Sequence, residues 1–233
     1  MFKKNDLPEE PQPEYREECY ICHRPKQMCL CDSIKQFSTN MRFVILMHDK
    51  EAKDQRTGTG RLAHLCLENS ELLVGVDFTE NKRVNELIKD PAYVPYVLYP
   101  GPSAVNFSML EQNGFTAGKT ILIFVIDGTW RTAKSIINKS KNIQLLPRIS
   151  FSGSYISQFK IKKQPKDYCV STIEAIYYLC REAESAGYEK LSGSETALMT
   201  VFKKMVDIQL SYSSRFHKRR EDNKKKTDKR DPA

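Results

Sequence analysis

The sequence lacks long hydrophobic runs and the phosphate-binding loops of common nucleotide-binding proteins. No apolar stretch approaches the about 18 residues that a membrane-spanning helix needs, and residues 1–18 lack the apolar segment of a signal peptide. There is no G-x-G-x-x-G after the first predicted strand and no G-x-x-x-x-G-K-S/T anywhere, which argues against NAD and ATP sites of the usual type. We therefore expect a cytoplasmic protein without a membrane partner.

Acidic residues are fewer than basic ones. The 233 residues include 37 Lys and Arg against 29 Asp and Glu, a net charge of +8, and 40% are hydrophobic, enough for one globular domain with extensions. Residues 1–18 have a net charge of −3 and residues 215–233 of +5, and we interpret them as an acidic flexible N-terminus and a basic C-terminal tail. This distribution favours a polyanionic partner, nucleic acid first, although basic charge also serves solubility alone.

Four of the seven cysteines stand close together with the spacing C-x2-C-x6-C-x-C, at Cys19, Cys22, Cys29 and Cys31. In a reducing compartment this spacing favours a tetrahedral thiolate site for zinc, and an iron–sulfur cluster or redox thiols are the alternatives. Four protein ligands leave no open coordination position for chemistry. We therefore predict a structural zinc site that pins residues 19–40 to the body of the protein.

Predicted strands and helices alternate through residues 41–214. Apolar runs predict strands at 43–47, 71–76, 93–100 and 120–126, and helical spacing predicts helices at 61–69, 82–90, 130–139, 172–187 and 194–215. Residues 141–169 are predicted to be irregular. Such alternation predicts an α/β fold with a mostly parallel sheet and helices on both faces. In open sheets of this kind the ligand lies outside the carboxyl ends of the strands.

The segment after the most apolar strand carries the first candidate site. Asp127 could act as a general base, anchor a ligand, or simply cap the following helix. Trp130 is the only tryptophan, and it could stack on a base or adenine ring or belong to the core.

A second candidate site is the S-x-x-E motif at Ser171–Glu174. The motif is a helix capping box, and the same helix end could offer N–H groups to a carboxylate or phosphate. Glu174 could then bind an ammonium group or a ribose hydroxyl.

Basic and aromatic residues alternate between residues 148 and 168, as in surfaces that bind phosphates and unstacked RNA bases. An ordinary solvated face is the alternative. Our candidate RNA-binding residues are Arg61, Arg131, Arg148, Lys160, Lys162 and Lys163.

Taken in order, the motifs resemble the DTW-domain family of tRNA-uridine aminocarboxypropyltransferases. The resemblance runs from Cys19 to about Phe202. It rests on C-x2-C-x-R-P-x3-C-x-C at Cys19–Cys31, His48-x-x-Glu51, T-x-T-G-R-L at Thr57–Leu62, Leu98-Tyr99-Pro100, Asp127-x-Thr129-Trp130 and Ser171–Ala175. Any one motif is a weak signal, but their shared order is specific.

The resemblance implies a SPOUT-like, trefoil-knotted domain that uses S-adenosylmethionine as co-substrate and tRNA as partner. The expected reaction moves the 3-amino-3-carboxypropyl group to N3 of a uridine and releases methylthioadenosine. Asp127 and Trp130 are the expected catalytic residues. The expected donor-binding residues are Leu98, Tyr99, Pro100, Ile126, Asp127, Thr129, Ser171, Thr172, Glu174 and Ala175.

Three other functions are compatible with the same residues. A SPOUT-type RNA methyltransferase would use the same fold to move the methyl group. An rRNA aminocarboxypropyltransferase would differ in substrate, and a zinc-bearing RNA-binding protein would have no activity. The sequence leaves the oligomeric state and the modified uridine open.

Overall fold

The computed structural model describes residues 17–53, 57–110, 118–161 and 169–228, with side chains up to residue 214. Six strands form one sheet in the order β2-β1-β5-β3-β6-β4, and every neighbouring pair is parallel. The strands are β1 Arg42–Met47, β2 Ser70–Val74, β3 Tyr93–Leu98, β4 Val105–Asn106, β5 Thr120–Asp127 and β6 Arg148–Ser150. The predicted parallel α/β architecture is confirmed.

Seven α-helices alternate with the strands in the described part of the chain. They are α1 Asp49–Lys53, α2 Gly60–Cys66, α3 Lys82–Lys89, α4 Trp130–Lys139, α5 Lys141–Gln144, α6 Thr172–Ser185 and α7 Thr196–Asp228. Short 3-10 helices lie at Lys26–Met28, Cys31–Ser33 and Phe107–Met109. Side-chain caps begin two of the α-helices, because Asn81 accepts from the N–H of Val84 and Thr129 accepts from the N–H of Thr132.

Helices cover the sheet on both faces. Successive side chains of a strand point to opposite faces, so the wholly apolar run in β5 feeds two separate cores. Its odd-numbered residues pack with α2, α6 and α7, and its even-numbered residues pack with α3, α4 and α5. We call these the α6–α7 face and the α3–α4 face. Among the described residues, no helix is both long and apolar enough to cross a bilayer.

Two predictions of local structure were wrong. The stretch predicted to be irregular contains α5 and β6, and β6 lies inside the sheet between β3 and β4. A three-residue strand is too short to show a periodic pattern, and only its neighbours identify it. The last helix, predicted to end at residue 215, runs to Asp228.

Candidate functional site

A cavity of about 230 Å³ opens at the carboxyl ends of β3, β5 and β6. Its walls also include the first turns of α4 and α6, and its lining is mostly apolar and aromatic. The lining residues are Leu98, Tyr99, Pro100, Val125, Ile126, Trp130, Ala133, Ile149, Ser150, Phe151, Gly153, Tyr155, Val170, Thr172 and Ala175. This is the edge of the sheet where parallel α/β folds bind ligands.

Most of the residues expected to bind the donor lie in this lining. Those brought together are Leu98, Tyr99, Pro100, Ile126, Thr172 and Ala175, whereas Asp127, Thr129, Ser171 and Glu174 are not part of it. Trp130, expected to be catalytic, also lines the cavity. Sequence reasoning missed the contribution of β6 and the loop after it, which supply Ile149, Ser150, Phe151, Gly153 and Tyr155. The signal that could have found them is the apolar Ile149 ahead of a Gly-containing loop, but it is weak without the sheet.

Asp127 is the last residue of β5, and its side chain is 4% exposed. The hydroxyl of Thr172 donates a hydrogen bond of 2.6 Å to Asp127 Oδ1. A Cβ atom at Gly60 would overlap the Asp127 carboxylate, so the first residue of α2 must be glycine for the carboxylate to lie there. Asp127 therefore joins β5 to the first turns of α2 and α6, and the alternative that it caps α4 is wrong because Thr129 does so.

The negative charge of Asp127 affects the pKa of Arg61. Burial lowers the pKa of Arg61, and the Asp127 carboxylate opposes that effect. Arg61 was predicted to bind RNA. The electrostatic effect of Asp127 leaves that prediction untested.

The H-x-x-E motif holds the turn between β5 and α4. The backbone N–H of His48 donates to the carbonyl of Asp127 at 2.9 Å. The N–H of Thr129 donates to Glu51 Oε1 at 3.3 Å. Buried His48 and half-buried Glu51 thus attach α1 to the two ends of the Asp127–Thr129 turn. The motif has a positioning role in this geometry.

Trp130 and Tyr99 form one wall of the cavity, and Arg148 lies beside Tyr99. The rings of Trp130 and Tyr99 are 6.4 Å apart at an interplanar angle of 51°, and the Arg148 guanidinium lies 5.5 Å from the centre of the Tyr99 ring. Burial raises the pKa of Tyr99 and Arg148 opposes it, so Tyr99 is a neutral phenol at pH 7. Trp130 is half-buried and lines the cavity instead of belonging to either core cluster.

Two buried carboxylates of α6 hold the loop that follows β6. Glu182 accepts hydrogen bonds from the N–H groups of Ser152 and Gly153 and from the Tyr155 hydroxyl, which donates at 2.9 Å. Burial, with Glu182 as a further cause, raises the pKa of Tyr155 to about 12, so this hydroxyl keeps its proton.

Glu174 is fully buried and already has a complete set of donors. It accepts from the Ser157 hydroxyl at 2.8 Å, from the Gln158 N–H at 2.6 Å, and from both the N–H and the hydroxyl of Ser171. The Ser171 side chain in turn accepts from the Glu174 N–H, which completes the capping box. The geometry does not support the expectation that Glu174 binds an ammonium group or a ribose hydroxyl. Glu174 positions the loop instead.

In the predicted RNA-binding set, two aromatic rings pack against other rings, whereas two basic side chains are exposed to solvent. Tyr155 stacks one face of its ring on Tyr178 with the ring centres 3.8 Å apart, and Phe159 is buried against Phe202, so the Phe159 ring is not exposed to stack on an RNA base. Arg131 and Lys160 are exposed. Lys162 and Lys163 lie outside the described residues.

The four clustered cysteines come together in space. All four sulfur atoms lie within 4.8 Å of one another, with Sγ–Sγ distances of 3.6 Å for Cys19–Cys31 and 3.8 Å for Cys22–Cys29. Four sulfurs at about 2.3 Å from a tetrahedral zinc ion are about 3.8 Å apart, so the residues fit this metal. The amides of Cys22 and Ile21 lower the pKa of Cys19 to about 6, whereas burial raises the pKa of Cys31.

A profile of the DTW domain matches residues 16–210. The chain belongs to the DTW-domain family. Its relatives include tRNA-uridine aminocarboxypropyltransferase 2 of Mus musculus, 28% identical over 86% of this chain and 66% of the relative, and that of Drosophila melanogaster, 30% identical over 70% and 64%. The tRNA-uridine aminocarboxypropyltransferase A of Arabidopsis thaliana is 25% identical over 84% and 82%. The chain spans about two thirds of the length of the mouse and fly relatives, and no solved structure matches it.

In this DTW domain, Asp127, Thr129 and Trp130 have three different tasks. Asp127 accepts from Thr172 beside the cavity, Thr129 caps α4, and Trp130 lines the cavity. The cap sets where α4 begins, so it also sets where the indole ring lies.

Proposed function

We propose that this DTW-domain protein transfers the 3-amino-3-carboxypropyl group of S-adenosylmethionine to N3 of a tRNA uridine and releases methylthioadenosine. The observation that carries the proposal is the cavity at the strand ends, with the buried Asp127 carboxylate beside it and Trp130 in its wall. The relatives named for this activity support the same chemistry.

The cavity suits a donor with a flat heterocycle and an amino-acid arm. Leu98, Ile126 and Ala175 offer an apolar surface, and Tyr99 with Trp130 offers an aromatic one. The sulfonium of bound S-adenosylmethionine would activate the first carbon of the amino-acid arm, so that a new N–C bond forms as the S–C bond breaks.

Asp127 is the proposed general base. Uracil N3 carries a proton and is a poor nucleophile until that proton is removed. The carboxylate of Asp127 would accept the proton. The Thr172 hydroxyl donates a hydrogen bond to the carboxylate, and Gly60, which has no side chain, leaves the space that the carboxylate occupies. The alternative is that Asp127 anchors the ammonium group of the donor and water removes the proton, and proximity then supplies much of the rate.

The tRNA would approach the open side of the cavity. Arg148 beside Tyr99 and the exposed Arg131 and Lys160 supply positive charge for its phosphates. The net charge of +8 supports a polyanionic substrate.

Unmodified tRNA and, in parallel, unmodified rRNA, each incubated with donor labelled separately in the methyl and carboxyl carbons, test the activity. We expect the carboxyl label in tRNA, the methyl label in the small-molecule fraction, and 3-(3-amino-3-carboxypropyl)uridine in the nucleosides by mass spectrometry. Methyl label in tRNA would instead support a methyltransferase, and labelling of rRNA alone would support the rRNA-directed alternative. Absence of donor binding in calorimetry would support an RNA-binding protein without activity.

We propose zinc as the occupant of the four-cysteine site, with a structural role. None of the seven cysteines, all of them among the described residues, forms a disulfide bond. Cys29→Ser should lower the bound zinc measured by elemental analysis, whereas Cys66→Ser, at a buried cysteine in α2 outside the cluster, should leave it at one ion per chain. Unchanged zinc in the Cys29 variant would refute the ligand assignment.

We also propose that the domain has the SPOUT-like trefoil knot. The parallel sheet and the convergence of the segments after β3, β5 and β6 on one cavity support it. An experimental structure of the whole domain would test this directly, and a chain path without a knot would refute it.

A further inference from the structure

The turn between the first two cysteines presents the most exposed large apolar side chain in the described part of the chain. Tyr20 is 94% exposed and Ile21 is 59% exposed. Two backbone hydrogen bonds close the turn, from the N–H of Cys19 to the carbonyl of Arg24 at 2.7 Å and from the N–H of His23 to the carbonyl of Cys19 at 2.8 Å. The backbone that carries both side chains is therefore ordered before any partner binds, which lowers the entropy cost of binding.

The last helix leaves the body of the protein where it contacts the cysteine arm. The ammonium group of Lys204 donates to the Ser33 hydroxyl at 2.6 Å, and Gln209 Nε2 contacts Met28 Sδ at 4.0 Å. Beyond these contacts α7 continues for the 18 residues 211–228, and the side chains of the first turn of this segment are exposed. At about 1.5 Å per residue the segment is about 27 Å long. We call it the projecting helix.

The projecting helix is basic and has few apolar residues. Its sequence holds seven Lys and Arg against three Asp and Glu, a net charge of +4, and its apolar residues are Tyr212 and Phe216. A helix without an apolar stripe does not pack against a core, so its interactions are with solvent or with a charged partner. Because the net charge is positive, the partner that it fits is a polyanion.

The exposed turn and the cavity lie on two sides of one short loop. Arg24, which ends the turn, donates from Nη2 to the carbonyl of Gly58 at 2.8 Å. Two residues later, Gly60 leaves the space that the Asp127 carboxylate occupies beside the cavity. An RNA whose target base enters the cavity therefore has the exposed turn within reach of its other nucleotides.

We propose that the turn at residues 19–24 and the projecting helix form a tRNA-binding surface separate from the cavity. The Tyr20 ring stacks on an unpaired base, with Ile21 beside it, and the projecting helix binds the phosphate backbone. Every base has a π face, so an exposed aromatic ring on a rigid turn binds unpaired bases with little regard to sequence. The inference rests on the tRNA substrate proposed above, and it gives the cysteine arm a task in substrate binding.

The affinity of Tyr20 variants for unmodified tRNA, measured by filter binding without the donor, tests the stacking. Tyr20→Ala should weaken binding about five- to tenfold, and Tyr20→Phe should retain nearly all of it because it keeps the ring. Both variants should keep the metal content of the unaltered protein. Leu145→Ala is the control, since Leu145 is 86% exposed and follows α5 on the α3–α4 face, and it should bind tRNA like the unaltered protein.

Equal tRNA affinity of the Tyr20→Ala and unaltered proteins would overturn the stacking and would leave the ring to a protein partner. Loss of affinity in Tyr20→Phe as large as in Tyr20→Ala would also overturn it, because the ring would then not be the cause.

Salt dependence of tRNA binding tests the projecting helix. One variant combines three changes in that helix, Lys224→Gln, Lys225→Gln and Lys226→Gln, and its control combines three changes at exposed lysines on the α3–α4 face, Lys82→Gln, Lys89→Gln and Lys139→Gln. The first variant should bind tRNA about tenfold more weakly near 0.1 M salt, and the slope of log affinity against log salt should fall by about 1–3 because fewer counterions are released. The control should change affinity less than about twofold, and equal slopes in the two variants would overturn the role of the helix.

These measurements separate the binding surface from the proposed reaction. Neither uses the donor, so a protein without transferase activity would still give interpretable affinities. If the unaltered protein binds no tRNA, the proposed substrate and this surface are both wrong. If it binds tRNA and the Tyr20 and projecting-helix variants bind equally well, the surface alone is wrong.

Discussion

The two faces of the sheet bury very different side chains. The α3–α4 face is packed by aliphatic and aromatic residues, and the buried polar residue among its helices is Ser140, whose hydroxyl accepts from the N–H of Phe78. The α6–α7 face buries an equally apolar core but also the carboxylates of Asp127, Glu174, Glu182, Glu189 and Glu195. The buried polar contacts are therefore concentrated on the α6–α7 face.

The buried carboxylates of the α6–α7 face hold loop backbone. Glu174 and Glu182 accept N–H groups from the loop after β6, and Glu189 accepts those of Asn40 and Met41 before β1. A buried carboxylate is costly unless donors satisfy it, and several N–H groups together do so. The α3–α4 face is thus held by apolar packing, and the α6–α7 face also holds loops in place through hydrogen bonds to its buried carboxylates.

The largest effect should come from the one carboxylate of this set that lies beside the reacting centre. Asp127→Asn keeps the shape of the side chain but removes the base, so single-turnover transfer should fall about 10²-fold or more while stability changes little. Calorimetry with the donor separates the two roles. The variant should bind the donor more weakly if Asp127 anchors it, and with unchanged affinity if Asp127 is the general base. A variant that keeps most of its single-turnover rate would disprove the general-base assignment.

Truncating a core side chain on the α3–α4 face should lower stability and leave the transfer rate nearly unchanged. Ile136 is fully buried in α4, and Ile136→Ala should cost about 2–5 kcal/mol in the free energy of unfolding because it leaves a cavity. Activity per folded molecule should stay close to that of the unaltered protein. Denaturant unfolding with single-turnover assays checks both, and a loss of rate larger than the loss of folded protein would contradict the separation of the faces.

Loosening a loop contact should have an intermediate effect. Glu182→Gln replaces one acceptor oxygen with a donor that faces the N–H of Ser152 and Gly153, at a cost of about 1–3 kcal/mol. We expect weaker donor binding in calorimetry, since Gly153 and Tyr155 line the cavity. Glu86→Gln on α3 is the matched control. Equal donor affinity in the two variants would show that the contact of Glu182 with the loop after β6 does not shape the site.

The smallest effect should come from an ion pair at the sheet edge. Hydrogen bonding to Arg83, with Arg42 as a further partner, lowers the pKa of Glu71 to about 2. The folded pKa lies below the unfolded one, so the stabilisation is present above about pH 4.5 and is lost as the pH falls towards 2.

Glu71→Gln should therefore cost about 1 kcal/mol near pH 7, a small value because the pair is partly exposed, and nothing at pH 2. Urea unfolding across this range measures the difference. A cost that stays constant down to pH 2 would mean that the charge of Glu71 is not the cause.

Sequence patterns predicted the elements with strong local signals. The apolar run of β5 and the helix at 130–139 were confirmed, because burial on both faces and regular spacing are visible in the chain itself. The short β6 was missed, since its identity depends on the edge that β3 offers it. The capping roles of Asp127 and Thr129 could not be told apart in advance because both residue types cap helices.

The sequence by itself determined the parallel α/β class, the family motifs and the cysteine cluster, because these depend on residue types at fixed spacings. Only the tertiary structure decided that Glu174 and Glu182 hold a loop, that Gly60 makes room for Asp127, and that Arg24 is buried with a hydrogen bond to the Gly58 carbonyl. Each of these contacts joins residues distant in the chain. Burial and hydrogen bonding of that kind arise only when the layers pack together, so no local pattern records them.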